Sequence, residues 1–335
     1  MKRMNMNITG FSDFIGQDTI KNYFADSAGS GRVNHSYILS GREGSGRRTL
    51  ARLFGAALLC ENDENKPCGT CKSCRMAFSD NHPDLITVVH EKPTVLSVRE
   101  IREQLVSGIA VKPYYGGRKI YIVPDCELMK QEGQNALLKT IEEPPSYAVI
   151  ILITDNPDSL LPTVRSRSME LSLNPLPDGI VKDHLIKNTG AGDREASVCA
   201  AFAGGSIGMA QKFRQSETFG EDLKMTLDFI KQSKDLPANE IFSFAKEVSA
   251  DKESLLQILD IILFMYRDIL MYKTLKEDAS LTFIDETEYI VSKARTTDLE
   301  DISRVIKSTE DLRGRLKFNA NTEAALDVLL LDISV

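Results

Sequence analysis

The short apolar stretch His35-Ser-Tyr-Ile-Leu-Ser40 leads directly into Gly41-Arg-Glu-Gly-Ser-Gly46, and a helical face begins just beyond those glycines. A strand, a glycine loop and a helix in immediate succession restrict the chain to an α/β unit whose loop sits at a strand end. Gly41 and Gly46 have the G-x-x-x-x-G spacing of a phosphate-binding loop. Such a loop continues with Lys, which reaches the β- and γ-phosphates, and then with Ser or Thr, whose hydroxyl ligates magnesium. Arg47 and Arg48 occupy those two places here, with Thr49 next. Gly41, Gly44, Gly46, Arg47, Arg48 and Thr49 therefore keep the shape of the cradle without its two chemical parts. The combination predicts a nucleotide-handling fold that has stopped hydrolysing nucleotide, so ATP binding is expected to be weak or absent.

The alternation continues past the loop. Leu50, Leu53, Phe54, Ala57 and Leu58 mark one helical face. Strands are predicted at 85–89, 119–123 and 148–154, and helices at about 98–106 and 134–141. Strands apolar on both faces, alternating with helices, predict a parallel sheet covered on both sides. Two proline-bearing segments follow, Glu142-Glu-Pro-Pro145 and Asn174-Pro-Leu-Pro177, and the second reads as a hinge between domains. The spacing gives an α/β domain over 1–174, a small helical unit over 175–215 and a helical bundle over 216–335. Beyond Gln215 only Gly220, Pro237 and Gly314 interrupt the helical pattern.

At 335 residues, with 42% hydrophobic and 27% charged residues, the chain has the makeup of an ordinary soluble protein of two or three domains. The opening MKRMNMNITGF has no apolar stretch long enough for a signal peptide. The apolar run Leu255 to Tyr272 is broken by Asp260, Arg267 and Asp268, which predicts a buried helix and no membrane span. A cytoplasmic location is expected. The net charge of −7 excludes binding to DNA by bulk charge, so any nucleic-acid contact must be local or shared with partner chains.

Four of the six cysteines, Cys60, Cys68, Cys71 and Cys74, are spaced C-x7-C-x2-C-x2-C. Two-residue gaps put thiolates on tight turns that can share one tetrahedral ion, and four protein ligands close the shell of a structural zinc. An iron–sulfur cluster is the competing occupant. Cys126 and Cys199 stand alone and read as small buried hydrophobes.

The predicted strand 119–123 would end in Asp-Glu in a working ATPase, the Asp holding magnesium and the Glu polarising water. The sequence continues Pro124-Asp-Cys-Glu127, so Pro124 takes the metal-holding place. A one-residue slip would make Asp125 the ligand and put Cys126 in the catalytic place; neither register has a complete pair. Beyond strand 148–154 comes Leu161-Pro-Thr-Val-Arg-Ser-Arg167. Arginines in this position suit either a surface ion pair or a finger that reaches a neighbouring subunit's γ-phosphate.

Together these segments resemble the bacterial replicative clamp loader, an AAA+ family of DNA polymerase III. Phe11-Ser-Asp-Phe-Ile-Gly-Gln17 looks like the family's opening box, and His35 to Gly41 is similar to its first strand. A cysteine module inserted after the phosphate-loop helix is distinctive of the family. Gln134-Asn-Ala-Leu-Leu-Lys-Thr-Ile-Glu-Glu-Pro-Pro145 matches a family signature, and Leu161 to Arg167 resembles its Ser-Arg-Cys finger motif, with Ser168 in the place of Cys. Asn319-Ala-Asn321 and its apolar helix resemble the end of the collar domain. The match runs from about residue 9 to the C-terminus.

The resemblance implies an α/β P-loop (AAA+) domain with a parallel sheet, a small helical lid domain and an all-α collar domain through which subunits oligomerise. The family has ATP-hydrolysing gamma/tau motor subunits and a second subunit type with decayed ATPase motifs that keeps the finger. Losses at the glycine loop, at Pro124 and at Gly208, where motor subunits carry a sensor arginine, place this chain with the second type. So does an end without the long extension of tau. Implied with them are Arg167 as a finger acting in trans and zinc at the four cysteines. The implied partners are gamma/tau and delta subunits through the collar and AAA+ faces, the sliding clamp, and primed DNA held by backbone phosphates at helix N-termini. Two other readings remain: a motor subunit with an atypical loop, and a free-standing zinc-containing DNA-binding protein, which would need a basic patch.

Overall fold

The computed structural model describes residues 8–115, 117–317 and 323–334. The chain divides into two compact units between Leu176 and Pro177, inside the proline segment expected to separate domains.

The first unit runs α1 (Asp18–Ser30), β1 (Ser36–Ser40), α2 (Arg47–Leu58), α3 (Lys72–Phe78), β2 (Leu85–Thr87), α4 (Val98–Ile101), α5 (Ser107–Ile109), β3 (Lys119–Val123), α6 (Gln131–Glu142), β4 (Ala148–Thr154), α7 (Pro162–Arg165) and β5 (Met169–Ser172). All strand pairs are parallel, in the order β2-β3-β4-β1-β5. All seven residues of β4 are buried because it lies between two strands and is covered on both faces. Side chains alternate across a strand, so Val149, Ile151 and Ile153 pack with Phe24, Leu50 and Phe54, while Ile150 and Leu152 pack with Ile101, Leu105 and Leu137. Each such aliphatic side chain contributes roughly 1.5–3 kcal/mol on burial. With β1 between β4 and β5, the loops after β1, β3 and β4 gather at the carboxyl edge, where sheets of this kind hold ligands.

Strands β3 and β4 fall where the sequence puts them. Strand β5 was not expected: Met-Glu-Leu-Ser alternates half-buried and exposed and pairs only with β1 at the sheet edge, so it lacks the apolar run that marks the inner strands. The helix expected at 98–106 starts on a capping box. Ser97 Oγ accepts from Glu100 N at 3.3 Å, and the Glu100 carboxylate accepts from Ser97 N, Ser97 Oγ and Glu91 N. Those bonds, from Ser97 first and then the Glu91 amide, draw the Glu100 carboxyl down to about 2. Its stabilising effect is therefore present above the ordinary carboxyl range and is lost as pH falls from about 4.5 toward 2. Ser97→Ala is expected to cost about 1 kcal/mol in urea unfolding, and an unchanged midpoint would show that the box contributes nothing.

The second unit is helical throughout its described residues: α8 (Asp178–Thr189), α9 (Asp193–Ala203), α10 (Ile207–Gln215), α11 (Glu217–Gln232), α12 (Ala238–Val248), α13 (Lys252–Leu275), α14 (Thr287–Thr296), α15 (Leu299–Lys317) and α16 (Glu323–Ser334). The expected junction near 215 falls on Ser216, which closes α10 and caps α11 through a bond from Phe219 N, within one compact unit. Helix α13 is the centre of this core. Leu255, Leu259 and Ile262 are buried as expected, and Leu263 is half-buried. Asp268, one of the charges that interrupt the run, is buried and accepts from Thr282 N and Phe283 N at 2.7 and 2.9 Å. Among the described residues, no helix is long and apolar enough to cross a membrane. Asn319-Ala-Asn321 lies outside the described residues.

Candidate nucleotide loop, arginine finger and metal centre

The glycine loop joins β1 to α2 at the carboxyl edge of the sheet. Gly46 caps α2 at φ +91°, and a Cβ there would lie 2.9 Å from the Phe14 ring, so only glycine fits and the loop is locked to the opening box. At the magnesium-hydroxyl place, Arg48 donates to Asp125 Oδ2. His90 Nε2 is 3.2 Å from the same oxygen, and its Nδ1 is 2.6 Å from Lys92 O. Burial works against the Asp125 charge, but the bonds from Arg48 and His90 outweigh it and hold the carboxyl below its usual range. His90 is shifted the other way, up, by Lys92 O and then Asp125. The acid beside the magnesium place is thus engaged by an arginine of the loop itself. Pro124 is buried and offers no ligand.

Arg47 is half-buried, and burial lowers its pKa although Asp155, Glu127 and Asp125 favour its charge. Glu127 Oε2 is buried with no hydrogen-bond partner among the described residues. Fixed guanidinium charge stands where a working site would hold a compact ammonium and a mobile metal ion. His90, Glu127 and Asp155 were not singled out from the sequence. Asp155 directly follows β4, so the strand-end rule for α/β sheets would have found it; His90 and Glu127 carry no motif.

The two arginines before β5 differ in their surroundings. Arg165 is clamped between Asp158 at 2.7 Å and Glu170 at 2.6 Å. Among the described residues Arg167 pairs only with Glu142, at 2.9 Å, and donates to Thr163 O and Ser166 Oγ at 3.1 and 3.2 Å, with its side chain 41% exposed. An exposed pair of this kind is worth about 0–1 kcal/mol, so Arg167 can exchange Glu142 for another anion at little cost. Ser168 anchors the turn: its hydroxyl is 2.7 Å from Ser36 Oγ on β1 and donates to Val164 O at 3.0 Å.

The four clustered cysteines come together. Cys60 follows the end of α2, Cys71 caps α3, and Cys74 is fully buried within α3. All four sulfur atoms lie within 4.8 Å of one another, with Cys68 and Cys74 4.0 Å apart. A tetrahedron of roughly 2.3 Å metal–sulfur bonds needs sulfur separations of about 3.8 Å, so the donor set fits. Cys71 N points at Cys68 Sγ and Cys74 N at Cys71 Sγ, both at 3.4 Å, bonds that favour thiolates. The amides of Cys71 and Thr70 draw Cys68 down to about 6. Gly69 takes φ +71°, and a Cβ there would come within 3.1 Å of Thr9. These four thiols can hold a metal ion. Cys126 and Cys199 are buried singly, and burial pushes Cys199 up to about 11.

A parallel sheet in this strand order, with a glycine loop between β1 and α2 at its carboxyl edge, defines a P-loop fold of the AAA+ kind. Residues 16–177 match the family described as DNA polymerase III, delta subunit. Subunit delta′ of Bacillus subtilis is 26% identical over 308 residues, 90% of this chain and 91% of that protein. Subunit delta′ of Pseudomonas aeruginosa is 37% identical over 147 residues, covering 43% of this chain and 44% of its own length. Subunit tau/gamma of Haemophilus influenzae is 34% identical over 176 residues, 52% of this chain, so the chain spans only 25% of that relative. A solved gamma subunit-related protein from Thermotoga maritima aligns over 94% of this chain and 97% of its own at 20% identity, with a TM-score of 0.43. Residues 16–177, just under half of the chain, match that DNA polymerase III family, and the delta′ relative from Bacillus subtilis is similar over nearly its whole length.

Proposed function

We propose that this chain is a delta′-type subunit of the clamp loader, a non-hydrolysing wall that supplies Arg167 in trans to the ATP site of an adjacent gamma/tau subunit while the sliding clamp is loaded on primed DNA. The observation that carries this reading is the Arg48–Asp125 pair. It engages the acid beside the magnesium place with a loop arginine, while Arg167 at the other end of the domain is held by an exposed glutamate and by bonds to Thr163 O and Ser166 Oγ, with its side chain 41% exposed. What the subunit would need for its own nucleotide is altered; what could serve a neighbour's is kept. Residues 175–215 would act as a lid and 216–335 as a collar meeting gamma/tau and delta. DNA would be held by backbone contacts, and Cys60, Cys68, Cys71 and Cys74 would hold structural zinc.

The motor-subunit reading draws on the tau/gamma relative, which is 34% identical over 176 residues. An equilibrium titration of the isolated chain with magnesium-ATP separates the two. Binding is expected to be absent through the millimolar range, where a P-loop lacking its Lys and hydroxyl has no strong phosphate contact. Turnover by the purified chain that Arg47→Ala abolishes would overturn the delta′ reading.

A further inference from the structure

The most exposed large hydrophobic side chain of the described residues is Tyr114, 79% exposed, on the turn between α5 and β3. Val111, on the same turn, is 62% exposed. An exposed aromatic on a floppy loop carries no argument, but this turn is held from below at several points. Asp84, 1% exposed, accepts from Tyr114 N at 2.7 Å and from Tyr115 N at 3.0 Å with its two carboxylate oxygens. Lys119 Nζ donates to Gly108 O and Val111 O at 2.9 and 3.1 Å. The Tyr147 hydroxyl donates to Ile109 O and Ala110 O, both at 3.0 Å. Three side chains from the body of the domain thus fix the backbone that displays Tyr114.

The surroundings are cationic. Tyr115 stands edge-on to Tyr114, ring centroids 5.0 Å apart, and Lys72 Nζ of α3 lies 5.2 Å from the centre of the Tyr115 ring. Lys72, Arg75 and Lys112 are all exposed, and among the described residues none of them pairs with a carboxylate. No Asp or Glu occurs between residues 65 and 79 or between 104 and 124, although the chain as a whole has a net charge of −7. A rigid exposed ring beside exposed cations that form no ion pair among the described residues is the arrangement that stacks a base and holds its phosphates.

We propose that Tyr114, with Lys72, Arg75 and Lys112, forms a binding ridge for single-stranded nucleic acid. An unpaired base stacks on the Tyr114 ring and the flanking phosphates meet the cations. The turn precedes β3 and so lies at the opposite edge of the parallel sheet from the nucleotide loop, and the ridge does not depend on the finger reading. A paired base has no free face to offer, so the ridge favours single strands over duplex. An apolar pocket on an acidic protein is the other occupant that such a tip could enter, and the cations together with the aromatic face favour the nucleic acid.

The test uses the full chain and fluorescein-labelled oligo(dT), read by anisotropy at roughly 50 and 200 mM salt. The expected result is salt-dependent binding that Tyr114→Ala weakens about tenfold or more and Tyr114→Phe preserves. Lys72→Ala should lower the slope of log affinity against log salt by about 0.7. Because the Tyr114 ring is exposed, the thermal midpoint of Tyr114→Ala should match the parent, and Arg167→Ala should leave oligo(dT) binding unchanged. No binding at low salt, equal affinity of Tyr114→Ala and parent, or tighter binding of the matching duplex each overturns the proposal. So does a Tyr114→Ala chain that keeps oligo(dT) but loses a protein subunit in reconstitution, which would make the tip a protein dock.

Discussion

Arg167→Ala is expected to leave the reconstituted clamp loader assembled while cutting DNA-stimulated ATP turnover at the receiving site by about 10³-fold, the lower end of what an arginine finger supplies. Among the described residues its side chain bonds only to Glu142, Thr163 and Ser166, none of them a core group, so its removal should not disturb folding. Arg167→Lys keeps a positive charge but loses the planar fork that matches phosphate oxygens, and should recover only part of the rate. Glu142→Ala removes the carboxylate that holds Arg167 in the isolated chain and should leave turnover unchanged or raise it slightly. Arg165→Ala is a useful contrast: Arg165 is clamped by Asp158 and Glu170, so its loss should register in stability first. Single-turnover measurements with assembly followed by gel filtration separate these effects. An Arg167→Ala complex of normal composition and normal ATPase rate would remove the finger from this chain.

The parts of this architecture that were legible in the sequence share one property: they are local. Ile120 to Val123 and Val149 to Ile153 form unbroken apolar runs because the inner strands of a parallel sheet are buried on both faces, and both strands lie where those runs lie. The glycine frame and the C-x-x-C turns are likewise contained within a few residues. Strand β5 escaped because an edge strand with one neighbour needs little apolar surface. The Arg48–Asp125–His90 cluster escaped for a different reason: 77 residues separate Arg48 from Asp125, and only the packing of α2 against the sheet brings them together. That arginines stand at the lysine and hydroxyl places of the loop is visible from residues 47 and 48 alone, but that Arg48 turns back onto Asp125 is not. That contact makes the change at the loop more than a missing ligand, since restoring phosphate chemistry would require displacing an existing ion pair. The same limit applies to Tyr114, whose two anchoring amides meet a carboxylate 30 and 31 residues earlier.

Protein purified without chelators is expected to carry one zinc ion per chain by elemental analysis, and removing that ion should lower the thermal midpoint of the first unit by about 10 °C. The size follows from two scales. Structural zinc contributes roughly 10–16 kcal/mol in isolated finger peptides, but here the module is also braced by α2 and α3, so only a few kcal/mol of that should be lost from the domain. One kcal/mol moves the midpoint of a domain of this size by roughly 2–4 °C. Cys74 should be the most sensitive position, because its side chain is fully buried, so Cys74→Ser leaves a buried hydroxyl as well as an open metal shell. Cys68→Ser, at a half-buried ligand, tests the metal with less disturbance of the core. If zinc is structural, Cys68→Ser should lose the ion and the 10 °C while Cys199→Ser, remote from the cluster, keeps the ion. Visible absorption with iron and sulfide in the purified chain would instead mean that the four thiolates hold an iron–sulfur cluster. A metal-free chain with the same midpoint before and after chelation would show that backbone bonds and the packing of Cys74 hold the module by themselves.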